Sequence, residues 1–293
     1  MTIKTILVPA LNSILSPQAL ELGLKAAKLF DSQIECVHIH PDARELARYT
    51  ASLDVESAAF SSQIWEAMVE GDKTCARRSR KIFDAFFNRE GLGGAPSQGA
   101  SAVSISWHEV DGNGLDQTVQ RALYSDLVVF GRPALPDDLT SGGISDVLVD
   151  GGRPLLLAPS QPCANPLSNV VIAWKETAPS ARAVAAAMPL LAKAQKIDIL
   201  GVVEGRDDHQ PALDAAERLA ESLRRHGLRP QAGHVMAGER NACEALLDAA
   251  VNKLHAGVLV MGGYGHSRAR EFVFGGFTRH VLHGAPLPVF LSH

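Results

Sequence analysis

The order of apolar and helical segments repeats once along the chain, and that repeat restricts the fold more than any single motif does. TILVPA (5–10) is a short apolar strand, SPQALELGLKAAKLF (16–30) carries leucines and alanines at helical spacing, and IECVHIH (34–40) is a second strand. From residue 169, NVVIAW, SARAVAAAMPLLAKA and KIDILGVVE give the same order at an offset of about 164 residues. The ends of the halves match as well: RALYSDLVVFG (121–131) with NKLHAGVLVMG (252–262), and ISDVLVDGGRPLLLAPS (144–160) with FTRHVLHGAPLPVFLSH (277–293). Each half therefore reads β-α-β-α-β-α-β-α-β. Its strands are too uniformly apolar to face water on one side, as in a parallel sheet covered on both faces. The expected fold is α/β: two tandem open parallel five-stranded sheets, each with helices on both faces.

The segment SQPCANPLSN (160–169) has the Pro, Asn and Ser content of a linker and places the boundary near residue 166, between domains 1–162 and 167–293. A chain of 293 residues with 46% hydrophobic and 20% charged residues can fill two such cores. The first half carries roughly 60 residues (42–101) between its second and third strands, against about 25 (205–230) in the second. This insertion holds two amphipathic helical stretches, VESAAFSSQIWEAMV and CARRSRKIFDAFFNR, followed by the small-residue loop GLGGAPSQGAS. A net charge of −4 gives no global field toward nucleic acid or an anionic membrane. No run reaches the ~18–20 apolar residues of a membrane span, and Met1 leads directly into a strand, so the expected location is cytoplasmic. Four scattered cysteines without a CxxC read as reduced packing thiols.

The strongest candidate for a ligand site is GVLVMGGYGHSRAREFVFGGFTRHVLH (257–283). Gly262 ends an apolar strand, and in an open parallel sheet ligands sit beyond such ends. Glycines at 262 and 265 let backbone N–H groups approach an anion without a Cβ in the way. Gly275 and Gly276 then open the helix containing TRHVL, whose N-terminus favours phosphate. His266, Arg268 and Arg270 add positive charge nearby.

This G-x2-G-x9-G segment resembles the nucleotide-binding signature of the universal stress protein family. The resemblance covers almost the entire chain as two copies, with ILVPA and VVIAW as first strands, LVVFG and LVMGG as fourth strands, and GGRPLLLAP and GAPLPVFLS as closing strands. It implies a stress-response regulatory protein that binds an adenine nucleotide, ATP with Mg, in the C-terminal domain. By the same resemblance Ala173, Lys175 and Val203 lie on the adenine side. Gly262, Gly265, His266, Arg268, Gly275, Gly276, Phe277 and Thr278 lie on the phosphate side. It further implies that the closing strands pair across a pseudo-twofold, an internal pseudo-dimer with a further homodimer left open.

The chain departs from the family pattern at two points. Gly276 stands where the family has Ser or Thr, with Thr278 the nearest hydroxyl, and Leu11 and Lys175 stand where nucleotide-binding members have an aspartate. The first half has RPALPDDLTSGGISDV after Gly131, with Asp137 and Asp138 opposing a phosphate, so a single site is expected. The alternative is a scaffold of the same fold that binds no nucleotide and acts through unknown protein partners. No catalytic set is visible, so any ATPase activity is expected to be slow.

Other patterns have plainer readings. SGGISD (141–146) is similar to the SGGxDS loop of ATP pyrophosphatases but follows the fourth strand and has Ser and Asp transposed; a helix start is expected. CVHIH places Cys36, His38 and His40 on one strand face, where they read as buried strand residues. A metal there needs a ligand from elsewhere, such as His108, and no metal site is assigned. RRSRK (77–81) reads as a solvated helix face.

Overall fold

The computed structural model describes residues 2–10, 14–42, 55–92, 103–132, 139–162, 164–205, 208–263 and 276–293; side chains are described within these except at 55–60 and 139–143. In the first half the elements are β1 (Thr5–Ala10), α1 (Pro17–Phe30), β2 (Gln33–His40), α2 (Val55–Arg89), β3 (Ser104–Asp111), α3 (Gly114–Ala122), β4 (Leu127–Phe130), α4 (Leu139–Val149) and β5 (Leu155–Leu157). The second half repeats the order as β6 (Asn169–Ala173), α5 (Ala178–Leu191), β7 (Lys196–Glu204), α6 (Gln210–Arg225), β8 (Pro230–Gly238), α7 (Ala242–Asp248, continued by a π-turn over Ala249–Lys253), β9 (Val258–Gly262), α8 (Gly276–Gly284) and β10 (Val289–Ser292).

The repeat is visible even in the caps. Ser16 starts α1 by accepting a hydrogen bond from the Ala19 amide, with Pro17 behind it, and Thr177 starts α5 by accepting from Ser180. Asn113 and Asn241 do the same for α3 and α7, accepting from Leu115 and Asp116 in one case and Cys243 in the other. Each supplies an acceptor for otherwise orphan helix amides.

The two halves do not form two separate sheets. Their ten strands make one, ordered β3-β2-β1-β4-β5-β10-β9-β6-β7-β8. Every neighbour pair is parallel except β5 with β10, which run antiparallel with Leu156 opposite Phe290. The physical reason is edge satisfaction: each closing strand would otherwise leave a row of unpaired N–H and C=O groups, and the two edges satisfy one another. Both core layers run across this seam. One face buries Leu156 and Phe290 with residues of α1, α2, α5 and α6. The other buries Leu155, Leu157, Val289 and Leu291 with residues of α3, α4, α7 and α8.

The insertion also differs from expectation. Its two amphipathic stretches are one 35-residue helix, α2. Gly71 sits at the join in open space and does not break it. Glu70 spans the join, pairing with Lys73 and Arg77 while its carbonyl accepts from the Thr74 hydroxyl. The later turns anchor the helix: Phe83 and Phe86 enter the core, and the buried Ser79 hydroxyl accepts from the Leu15 amide at 2.9 Å. Arg77, Arg78, Arg80 and Lys81 are exposed around it, with Arg80 paired to Asp84, so RRSRK is a solvated face. Among the described residues no helix is long and apolar enough to cross a membrane.

Candidate functional site

In the second half the chain runs outward from β6 to β7 and β8, then returns to β9 on the other side of β6. The crevice between the carboxyl ends of β6 and β9 is therefore a topological switch point, where open α/β sheets bind ligands. Ala173 ends β6 and Gly262 ends β9, on either side of it. Val203, near the end of β7, is buried, and Lys175 is exposed two residues past β6. The crossover from β9 to the parallel β10 starts α8 at this same edge. There Gly276 is exposed, Phe277 half-buried and Thr278 buried at 6% exposure. Gly265, His266, Arg268 and Gly275 lie outside the described residues, as do Leu11, Asp137 and Asp138.

The glycine at the end of β9 has a packing reason that the sequence did not disclose. A Cβ on Gly262 would lie 2.6 Å from the Pro179 carbonyl carbon and from the Ser180 nitrogen, so β9 and the first turn of α5 approach too closely for any side chain. The first half repeats the contact: a Cβ on Gly131, just after β4, would lie 2.5 Å from the Ser16 Cβ at the start of α1. Aligning the two halves at Gly131 and Gly262 is the signal that could have located Ser16 and Pro179–Ser180 as walls of the two mouths. What this arrangement offers chemically is backbone N–H groups and the positive dipole ends of α5 and α8 at one crevice.

The first half uses its mouth differently. Arg132, next after Gly131, crosses to the other half, where its Nη1 donates to the carbonyls of Val281 and Leu282 at 2.6 and 2.5 Å, near the C-terminal end of α8. Its Nε and Nη2 have no partner, and burial pulls the guanidinium down to about 10. A cation at a helix C-terminus complements the dipole there, so this residue ties the halves together. SGGISD lies inside α4, which begins at Leu139, and its Ser145 is buried. It is a helix and not a phosphate loop.

A scan of protein-family models finds no match to this sequence, and no curated protein matches it. Solved structures do match. A universal stress protein from Archaeoglobus fulgidus superposes with a TM-score of 0.62 at 16% identity, over 98% of this chain and 95% of that one. A functionally unknown protein from Pseudomonas aeruginosa gives a TM-score of 0.54 at 14% identity, over 99% of this chain and 92% of that one. The chain thus has the fold of a universal stress protein along nearly its whole length, both halves included.

Proposed function

We propose that this chain is a regulatory protein of the universal stress type whose C-terminal half binds an adenine nucleotide, ATP with Mg, at the crevice between β6 and β9. The observation that carries the reading is Gly262. It ends β9 at the switch point against the first turn of α5, and α8 opens at Gly276 on the same edge. The residues on hand fit the phosphate half of such a ligand: backbone N–H groups with small residues around them, as anion sites require. Bound there, the nucleotide changes which protein partner the surface around the mouth accepts. The test is equilibrium binding of labelled ATP to the full chain, with Gly265→Asp as control. Saturable binding that the substitution abolishes is expected, and no saturable binding at ATP concentrations on the order of millimolar sinks the reading.

One observation favours a second reading, a scaffold that binds no nucleotide. Lys175, and not an aspartate, stands exposed just past the end of β6 on the adenine side. A melting temperature unchanged by ATP, ADP or AMP is the outcome that supports the scaffold.

A further inference from the structure

Away from the crevice, the histidines of CVHIH meet a carboxylate from the insertion. Register sets Cys36, His38 and His40 of β2 beside Trp107, Glu109 and Asp111 of β3, and alternation sends these side chains to the face that α2 covers. Val37 and Ile39 enter the opposite layer. Asp72, in the middle of α2, lies over both histidines: its Oδ1 is 2.9 Å from His38 Nε2 and its Oδ2 is 2.6 Å from His40 Nδ1. The other nitrogen of His40 lies 3.2 Å from Glu109 Oε2, and Glu109 Oε1 accepts from Trp107 Nε1 at 2.8 Å. The His38 ring stacks on Trp107 and meets His40 edge-on. His108, by contrast, has the opposite parity in β3, and its Nε2 is bonded to Ser106.

We propose that His38, His40 and Asp72 form a binding site for one divalent transition-metal ion of the zinc class. One ligand atom from each residue lies within 4.8 Å of the others, close enough for modest side-chain movement to bring all three onto one ion. Zinc bonds of ~2.0–2.2 Å place tetrahedral ligand atoms roughly 3.3–3.6 Å apart, so the two present contacts open by up to about an ångström and the widest separation closes by about as much. Two imidazoles and a carboxylate suit zinc and its neighbours rather than magnesium or calcium, which prefer oxygen. His40 has the outer support that metal-bound histidines show, a carboxylate on its second nitrogen, and that carboxylate is itself fixed by Trp107. Charge points the same way. A divalent cation on two neutral imidazoles offsets Asp72 and Glu109 and leaves a cluster whose deepest members, His38 and Asp72, have side chains 0% and 8% exposed. Packing alone would be served by Val or Ile, as at Val37 and Ile39 of the same strand. Three protein ligands leave a tetrahedral ion one position for water, reached past His40, whose side chain is 25% exposed. The ion joins the inserted helix to the sheet at the carboxyl end of β2, and the proposal stands independently of the nucleotide reading.

The test uses the full chain, stripped with a chelator that is then removed, and titrated with Zn²⁺ against a chromophoric competitor. One ion per chain is expected. Asp72→Asn and His40→Gln should each weaken binding by more than tenfold, and Glu109→Gln by roughly 10–100-fold with stoichiometry kept. Because Asp72→Asn alters a largely buried group, each metal-free variant is checked by circular dichroism. Should that variant fail to fold, His40→Gln and Glu109→Gln, both on solvent-accessible side chains, decide the matter. The stacked pair of exposed His209 and half-buried His234 is the adventitious alternative, and His209→Gln should leave binding unchanged. Co²⁺ should give the visible spectrum of nitrogen and oxygen ligation, without a thiolate band. The proposal is overturned by wild-type protein that takes up no stoichiometric zinc, by binding that survives Asp72→Asn or His40→Gln in a folded chain, by loss of binding in His209→Gln, or by a thiolate band.

Discussion

Replacing Gly262 by alanine puts a methyl carbon 2.6 Å from two backbone atoms of the α5 first turn and 3.0 Å from Pro179 Cβ. Non-bonded carbons prefer about 3.5–4.0 Å, so a gap of roughly an ångström must be made. No rotamer can supply it, since the opposing atoms are main chain and a proline ring; β9 or the capped start of α5 has to move. Overpacking of this kind costs ~1–3 kcal/mol, and the absence of any flexible partner places Gly262→Ala in the upper half of that range. The reduced entropy of the unfolded chain returns ~0.4–1 kcal/mol, leaving a net loss of about 2 kcal/mol. Gly276→Ala is the matched control: nothing lies within 4 Å of its added Cβ, and it sits at the first position of α8. It should be neutral or stabilise by up to ~1 kcal/mol. Urea unfolding followed by far-ultraviolet circular dichroism measures both. A midpoint for Gly262→Ala at or above wild type, or a greater loss in Gly276→Ala, refutes the claim that Gly262 is required by packing.

The open space at Gly276 also admits a hydroxyl, so Gly276→Ser should leave stability unchanged and raise ATP affinity about tenfold, the worth of one hydrogen bond to a charged group; isothermal titration reads it, and unchanged affinity contradicts the phosphate assignment. Phe290 is 1% exposed and lies opposite Leu156 at the seam, so Phe290→Ala should cost ~3–5 kcal/mol in denaturant unfolding, and a loss below ~1 kcal/mol would mean that the seam is not a core. Asn113→Ala and Asn241→Ala should each cost ~1 kcal/mol and by similar amounts, since the two residues cap equivalent helices; a silent substitution at either would break that equivalence.

Much of the fold could be read because the strands that carry it are fully buried: LVVF and VLVMG leave no polar face, and that alone selects a covered parallel sheet. The seam was harder. Nothing in LLL or VFLS says which edge meets which, because strand pairing is made by main-chain groups that every residue shares. The pairing of the closing strands came through the family resemblance, and its outcome is one sheet in place of two. The insertion reads as two amphipathic stretches, yet the glycine between them costs an exposed helix only ~1 kcal/mol, and the pairs of Glu70 offset part of it. The period-two histidines were visible, yet their partner was misplaced. His108 carries the right chemistry on the wrong face, since the register of β2 with β3 sets Trp107 and Glu109, not His108, beside them. Asp72 reaches them from a helix more than thirty residues further on, and only the packing of α2 decides which of its turns meets the sheet. Gly262 was read for its freedom to approach a ligand; what constrains it within the chain is Pro179 and Ser180.

The antiparallel meeting of β5 and β10 has a consequence for traffic across the molecule. It makes all strands of the first half point one way and all strands of the second half the other. The carboxyl ends of β2 and β9 therefore open on opposite rims of the sheet, with His38 and His40 at one and Gly262 at the other. A guest at either rim can neither crowd nor bridge to a guest at the other, and both entrances stay open whichever fills first. A route through the sheet between them crosses β1, β4, β5 and β10, the four strands that separate β2 from β9.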